Sequence, residues 1–219
     1  MNTMRAAAIA AGVLLLSSAA GAQTIQPPPE PVKGYVEGVA QSSFGNVTSQ
    51  SYGAEAGVAI GKYFQIYGEF GRMGDVATAD LNTSAQAISG FLARTQTNVG
   101  YTAKEPAVFG IGGVKLLIPT GSPKVRPYVM AGFGGASLTK DVHFTVSGTD
   151  VTGNLAQYGV VLGTDLTGSA TAGMLSIGGG VQWYAFRHLV IDVQYRYGQI
   201  FTDPSVPTNR AGVGVGVTF

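Results

Sequence analysis

From Gly34 onward, apolar residues alternate with small or polar residues at the two-residue period of a β-strand. Between residues 189 and 197, for example, every odd position is aliphatic or aromatic, whereas the even positions include Asp192, Gln194 and Arg196. The alternation predicts an all-β chain of eight strands, at residues 34–44, 51–61, 63–73, 106–118, 125–138, 172–184, 188–198 and 209–219.

The connections between these strands alternate in length. Tight turns are predicted at residues 61–62, 119–124 and 185–187, and longer loops at 45–50, 74–105, 139–171 and 199–208. This alternation predicts an eight-stranded antiparallel up-and-down transmembrane β-barrel with long extracellular loops, in which both chain ends lie on the side of the short turns.

One of the long loops contains a helical pattern. Leu81, Ala85, Ile88 and Leu92 recur at the spacing of one helix face, and Thr78 or Asp80 can cap the helix start. These residues predict a short amphipathic helix at about 80–94, which would cover the barrel mouth or lie at the membrane surface. A disordered loop is the alternative.

Alternation alone does not decide whether the apolar faces point inward, as in a soluble barrel, or outward to lipid. Composition favours the second arrangement, because the other face of each strand is mostly glycine with isolated charges. The chain has 33 glycines, and only 11% of its residues are charged. Glycine weakens a solvated strand, but it suits the narrow interior of an eight-stranded barrel.

Seven charged residues fall on the glycine-rich face, and most lie near the middle of their strands. They are Glu37, Glu55, Glu69, Lys115, Arg126, Asp192 and Arg196. Unpaired charge is costly in a confined interior, so four acids against three bases predict a central network of ion pairs. The alternative is that one or two of these side chains lie at strand ends in water.

Aromatic residues concentrate near the strand ends, where two interfacial girdles are expected. Phe64 and Trp183 lie near the short turns, and Phe70, Phe133, Tyr195 and Tyr197 lie toward the long loops. The β-propensity of aromatic residues explains part of this distribution.

The first residues predict export. Residues 1–22 combine Arg5, an apolar run and the sequence Ala20-Gly21-Ala22, which together predict a cleaved signal peptide. Residues 23–33 are rich in proline and predict a periplasmic spacer before the barrel at 34–219. With 13 basic and 12 acidic residues, the chain lacks the basic excess of a nucleic-acid-binding protein, and without cysteine it has neither disulfides nor thiolate metal sites.

Several segments resemble the small outer-membrane β-barrel family of Gram-negative bacteria, the OmpA, OmpX and opacity-protein type often described as porin-like. They are RPYVMAGFGG at 126–135, GGGVQWYAF at 178–186 and the final GVGVGVTF. The resemblance implies location in the cell outer membrane, contact with its lipids and recognition of Phe219 by the outer-membrane assembly machinery. Phe219 ends the last predicted strand, so we expect no counterpart of the periplasmic peptidoglycan-binding domain that OmpA-type proteins carry.

Three functions are compatible with such a barrel. We expect a monomeric, non-enzymatic barrel with a structural, surface-interaction or porin-like role, without cofactor or bound metal. One alternative is a narrow pore for water, ions or small solutes. The other is a lipid-A-modifying enzyme, for which His143, Ser147 and Asp150 offer suitable residue types.

Overall fold

The computed structural model describes residues 33–122, 124–186 and 188–219. The predicted signal peptide and nearly all of the predicted spacer lie outside these residues. The barrel consists of eight antiparallel strands: β1 (Gly34–Gly45), β2 (Ser49–Ile60), β3 (Phe64–Met73), β5 (Ala107–Leu117), β6 (Val125–Val146), β8 (Gly168–Tyr184), β9 (Leu189–Ile200) and β10 (Val206–Thr218).

Each barrel strand pairs with the next along the chain, and β1 pairs with β10 to close the ring. The closing register runs from Tyr35 opposite Thr218 to Gly45 opposite Thr208. Both described ends therefore meet on the side of the short turns, where the backbone amide of Gly34 donates to the carbonyl oxygen of Phe219 over 2.9 Å.

The bulky apolar face of the barrel strands points outward, except in β5, where Phe109 and Ile111 are buried in the lumen and Gly110 and Gly112 face outward. In β3, the side chains of Phe64, Ile66 and Phe70 are exposed, whereas Gln65, Tyr67 and Glu69 between them are buried. Val213 and Val215 in β10 are 43% and 52% exposed on the outer wall. An outer wall of this kind suits lipid and not water, so the soluble arrangement is wrong.

The glycine-rich face lines an interior that is filled with side chains. Gly57 lies beside the ring of Tyr35, and a Cβ atom at Gly57 would lie 2.7 Å from the ring carbon Cζ. Gly180 gives the same room to Tyr128, whose hydroxyl oxygen would lie 2.7 Å from an added Cβ. At such positions glycine allows a tyrosine ring to approach the opposing backbone.

The lumen changes character along its length. Its central part holds charged and amide side chains, whereas the strand ends near the long loops contribute mainly apolar ones, together with the hydroxyl groups of Ser43, Ser51 and Thr208. This apolar layer contains Met73, Val76, Ala107, Leu138, Met174, Ile200 and Val206, all buried and packed in one cluster.

A second folded layer lies beyond the ring on the side of the long loops. It contains α1 (Ala79–Leu92), β4 (Val99–Lys104), β7 (Thr149–Asp150) and a 3₁₀-helix (Thr152–Tyr158). Both β4 and β7 pair with the last residues of β6. Among the described residues, no helix is long and apolar enough to span a membrane.

The predicted helix is present at nearly the predicted bounds. The Thr78 hydroxyl caps its start, and Leu81, Ala85 and Leu92 are buried. Its apolar face packs in one cluster with Phe144 of β6 and Leu155 of the 3₁₀-helix. The helix is thus part of the outer layer's own core.

The predicted long loop at 139–171 is partly wrong. β6 continues to Val146 and β8 begins at Gly168, so both ends of that segment are strand. The reason lies in the pairing: β4 supplies a partner for residues 141–146 of β6, and the buried alternation continues through Val142 and Phe144.

Candidate functional site in the barrel lumen

The centre of the lumen holds a network of ionised side chains contributed by five strands. Lys115 of β5 forms a salt bridge with Glu55 of β2, and its Nζ lies 3.6 Å from an Asp192 carboxylate oxygen of β9. These partners come from across the lumen and not from the strands beside β5.

Arg196 and Arg210 extend the network toward the long loops. Arg196 forms salt bridges with Glu55 and Glu69, and its Nε donates to the Gln194 side-chain oxygen over 2.7 Å. Arg210 of β10 lies 3.0 Å from the other Glu69 oxygen. Glu69 therefore accepts hydrogen bonds from two guanidinium groups, and Arg210 contacts both of its oxygens in the two-point arrangement that favours arginine–carboxylate pairing.

Tyrosines complete the surroundings of these charges. The Tyr35 hydroxyl donates to Glu55 over 2.6 Å, and the Tyr128 hydroxyl donates to Asp192 over 2.8 Å. The ammonium group of Lys115 also lies 4.4 Å from the centre of the Tyr128 ring and 5.7 Å from that of Tyr67, within the range of a cation–π contact.

Sequence reasoning missed Arg210 and the three tyrosines. The signal for Arg210 was present, because it shares its strand face with the lumen-facing Gly212 and Gly214, but the strand was expected to begin only one residue before it. The tyrosines lie in lumen-facing rows, but no role beside the charged side chains was predicted for them.

The structure does not bring Arg126 into the central network. Arg126 lies one residue into β6, at the mouth of the lumen near the short turns, where it is half-buried and its guanidinium carbon lies 4.9 Å from the centre of the Tyr184 ring. Its position at a strand end is the physical reason, and Arg210 is the third base in the centre instead.

Glu37 lies in the centre but is set apart from the ion pairs. Its side chain is buried beside Gly214, and among the described residues neither of its carboxylate oxygens accepts a hydrogen bond. Carboxylate oxygens of Glu37, Glu55 and Asp192 lie within 4.8 Å of one another. With three bases for four acids, Glu37 is the carboxylate without a basic partner.

The predicted girdle residues lie on the outer wall. Phe64, Trp183, Phe70, Phe133 and Tyr195 are exposed, and Tyr197 is half-buried. The Tyr195 hydroxyl donates to the Asn209 side chain over 2.7 Å, and its ring lies 6.3 Å from that of Phe44, centre to centre. Phe219 is exposed beside the closing seam of the barrel.

His143 lies in the outer layer, on the part of β6 that continues beyond the ring. Its two ring nitrogens lie 2.8 Å from Asp141 and 2.9 Å from Asp150. The hydrogen bond to Asp150 is the largest cause that raises the pKa of His143, and the hydrogen bond to Asp141 raises it further. Hydrogen bonds from Thr152 lower the pKa of Asp150, and His143 lowers it further.

This arrangement does not resemble a serine–histidine pair. Both His143 nitrogens are already engaged by carboxylates, and the Ser147 hydroxyl donates to the carbonyl oxygen of Thr97 over 3.3 Å. A catalytic pair needs one imidazole nitrogen directed at the nucleophile. The geometry therefore gives no support to the enzymatic alternative.

A closed ring with an apolar outer wall and a charged interior defines a membrane-spanning β-barrel. A family model for the outer membrane protein beta-barrel domain matches residues 8–219 of the sequence. The chain belongs to this family, and the outer membrane is its location. The long-loop side of the barrel is accordingly the extracellular side.

Solved structures share the fold at low sequence identity. Neisserial surface protein A aligns with a TM-score of 0.52 and 14% identity, over 85% of this chain and 96% of that one. A major outer membrane protein of Thermus thermophilus aligns with a TM-score of 0.51 and 10% identity, over 85% and 99% of the two chains. A search of curated protein sequences found no match.

Proposed function

We propose that this protein is a non-catalytic, monomeric outer-membrane barrel with a closed lumen, which presents its folded outer layer at the cell surface for structural or interaction roles. Outer-membrane lipids contact its apolar wall, and the assembly machinery recognises the strand that ends in Phe219.

The burial of the central charged side chains is the main support for a closed lumen. The side chains of Lys115, Asp192 and Arg196 are 0% exposed, so the centre of the barrel is packed with side chains and is not an open channel. The apolar layer above them, which includes Met73, Leu138 and Ile200, adds a second barrier. An ion crossing the lumen would have to break ion pairs and then pass a layer that is mostly apolar, with only a few hydroxyl groups such as those of Ser51 and Thr208.

The outer layer supports the surface role. It has its own apolar core, built by α1, the end of β6 and the 3₁₀-helix, and it is therefore a folded platform. Apolar side chains on its exterior include Phe91 and Val161, which are 47% and 87% exposed. Exposed apolar side chains are common at sites of protein contact.

Conductance measurements test the closed lumen against the pore alternative. Refolded wild-type protein in planar bilayers should give no reproducible conductance steps under conditions in which a wide porin conducts. Insertion is verified separately by protease protection of the barrel in the same lipid. Sustained steps of uniform size from the inserted wild-type protein would contradict the proposal and favour a narrow pore.

A further inference from the structure

An open groove of about 710 Å³ lies on the outer wall, on the extracellular side, where β2 begins and β3 ends. Its lining includes Arg72 at the end of β3, Lys104 at the end of β4 and Tyr52 of β2. The hydroxyl-bearing residues Thr48 and Ser49 line it as well.

The strand register places this groove at the upper edge of the lipid-facing wall. Arg72 follows Phe70 by two residues, so both belong to the outward row of β3, and Phe70 is 66% exposed. Tyr52 lies directly opposite Arg72 in the β2–β3 pairing and is also exposed. The outward row thus changes from aromatic to cationic where the wall ends, which is the level of the lipid headgroups.

The two cations of the groove have no protein counterion. Arg72 and Lys104 are exposed, and neither forms a salt bridge with any residue that the structure describes. The acid at the groove, Asp75, is engaged by the chain itself, because its Oδ1 accepts the backbone amides of Ala77 and Glu105, each over 2.9 Å. The lining of the groove therefore carries two cationic side chains against one carboxylate, whose Oδ1 is occupied by backbone amides.

We propose that this groove binds a phosphate group of an outer-leaflet lipid. Arginine offers a planar pair of donors that matches phosphate, lysine adds a point charge, and the two together balance a phosphate monoester. Tyr52 lies beside Arg72 on the neighbouring strand and Phe70 lies below it in the same outward row, where the apolar part of the same lipid molecule would pass along the wall. This position distinguishes a lipid phosphate from a free anion, which has no apolar part.

The test compares two double variants with the same loss of charge. Arg72→Gln with Lys104→Gln alters the groove. Arg94→Gln with Lys62→Gln removes one arginine and one lysine elsewhere on the surface. Each protein is refolded in neutral detergent and titrated, by native mass spectrometry, with lipid A carrying its phosphates, with dephosphorylated lipid A and with inorganic phosphate.

Wild-type protein and the control variant should bind phosphorylated lipid A about tenfold more tightly than the groove variant. Binding of dephosphorylated lipid A should be similar for all three proteins. Equal affinity of the groove and control variants for phosphorylated lipid A would overturn the proposal. Saturation of the groove by inorganic phosphate at the same concentration as the lipid would also overturn it, in favour of a free-anion site.

The single variant Lys104→Gln keeps the test decisive if the double groove variant does not fold. Lys104 lies on β4, outside the ring of eight strands, so barrel closure does not depend on it. This variant should retain a closed barrel and still lose affinity for phosphorylated lipid A. A closed Lys104→Gln barrel with wild-type affinity would exclude Lys104 as a ligand and so refute the site as proposed.

Discussion

Single residues show why the interior of this barrel needs glycine at particular positions. Three tyrosine rings turn inward and surround the Lys115 ammonium group, and each needs a position with no side chain nearby. The Tyr35 ring is additionally held by its hydrogen bond to Glu55. A ring fixed at both ends cannot move aside for a neighbour, so the glycine beside it is a packing requirement.

The pair Gly57 and Gly38 tests this requirement. Gly57→Ala should destabilise the barrel by about 1–3 kcal/mol, because the new methyl group would overlap the Tyr35 ring. Gly38→Ala is the matched control, since a Cβ there meets nothing within 4 Å. Unfolding in urea and lipid measures both variants. Equal midpoints would show that the ring has room to move.

Glu69 tests the energetic weight of the ion pairs. Glu69→Ala leaves Arg210 and part of Arg196 buried without a counterion, so we expect a loss of about 3–5 kcal/mol in the free energy of unfolding. Asp150→Ala serves as the control, because its carboxylate is exposed in the outer layer. A Glu69→Ala barrel that unfolds at the same urea concentration as Asp150→Ala would contradict a stabilising network.

At the scale of elements, the sequence predicts strands better than it predicts their ends. Alternation identified all eight barrel strands because each has one lipid-facing and one lumen-facing row. It missed the extension of β6 to Val146, since that extension depends on a partner, β4, which has no strong pattern of its own. Strand pairing depends on two segments, and the pattern of one segment does not show which segment pairs with it.

The candidate site was predictable to a similar degree. Parity places a residue on the lumen side, and this was sufficient for Glu55, Glu69, Lys115, Asp192 and Arg196. The height of a residue in the lumen depends on strand tilt and on the true strand ends, which the pattern does not provide. For that reason Arg126 was expected in the centre and Arg210 was overlooked.

The outer layer contains a pH-dependent contact between β6 and β7. Because the pKa of His143 is raised in the folded protein, its contribution to the stability of this contact is complete below about pH 6.5. That contribution is lost as the pH rises through the folded pKa. Because the pKa of Asp150 is lowered, its contribution is present above about pH 4 and is lost as the pH falls through the folded value. Between these limits the two side chains hold the hairpin together.

Titration of the imidazole by NMR checks this contact. In a His188→Gln background, the His143 ring signals should titrate with a midpoint above the ordinary histidine value of about 6.5. Asp150→Asn should bring the midpoint down toward that value. A midpoint at or below the ordinary value in the parent protein would show that the carboxylates do not hold His143 in solution.

At the scale of the whole molecule, the fold separates three environments. The lipid-facing wall, the sealed ionic centre and the extracellular layer each have their own packing, and only the first two belong to the ring of eight strands. The outer layer can therefore vary in shape without affecting closure of the ring. This separation suits a protein whose surface role resides outside the barrel.

Closure of the ring is visible on an unboiled gel. The refolded protein should migrate faster in its unboiled form than after boiling, because a closed barrel stays compact in cold detergent. Removing the whole of β10 by truncation before Val206 should abolish the shift, since β1 then lacks its partner. Identical mobility of boiled and unboiled wild-type protein would contradict a closed barrel.

The ion pairs of the lumen also constrain how the chain enters the bilayer. Glu69 and Arg196 are 127 residues apart in sequence, and Glu55 and Arg196 are 141 apart. Until the barrel closes and β2 and β3 face β9 across the lumen, each of these charged side chains would lie in the acyl-chain region without its partner. An open, incomplete sheet is therefore unstable in the hydrocarbon region. Insertion into the bilayer and closure of the barrel have to be coupled.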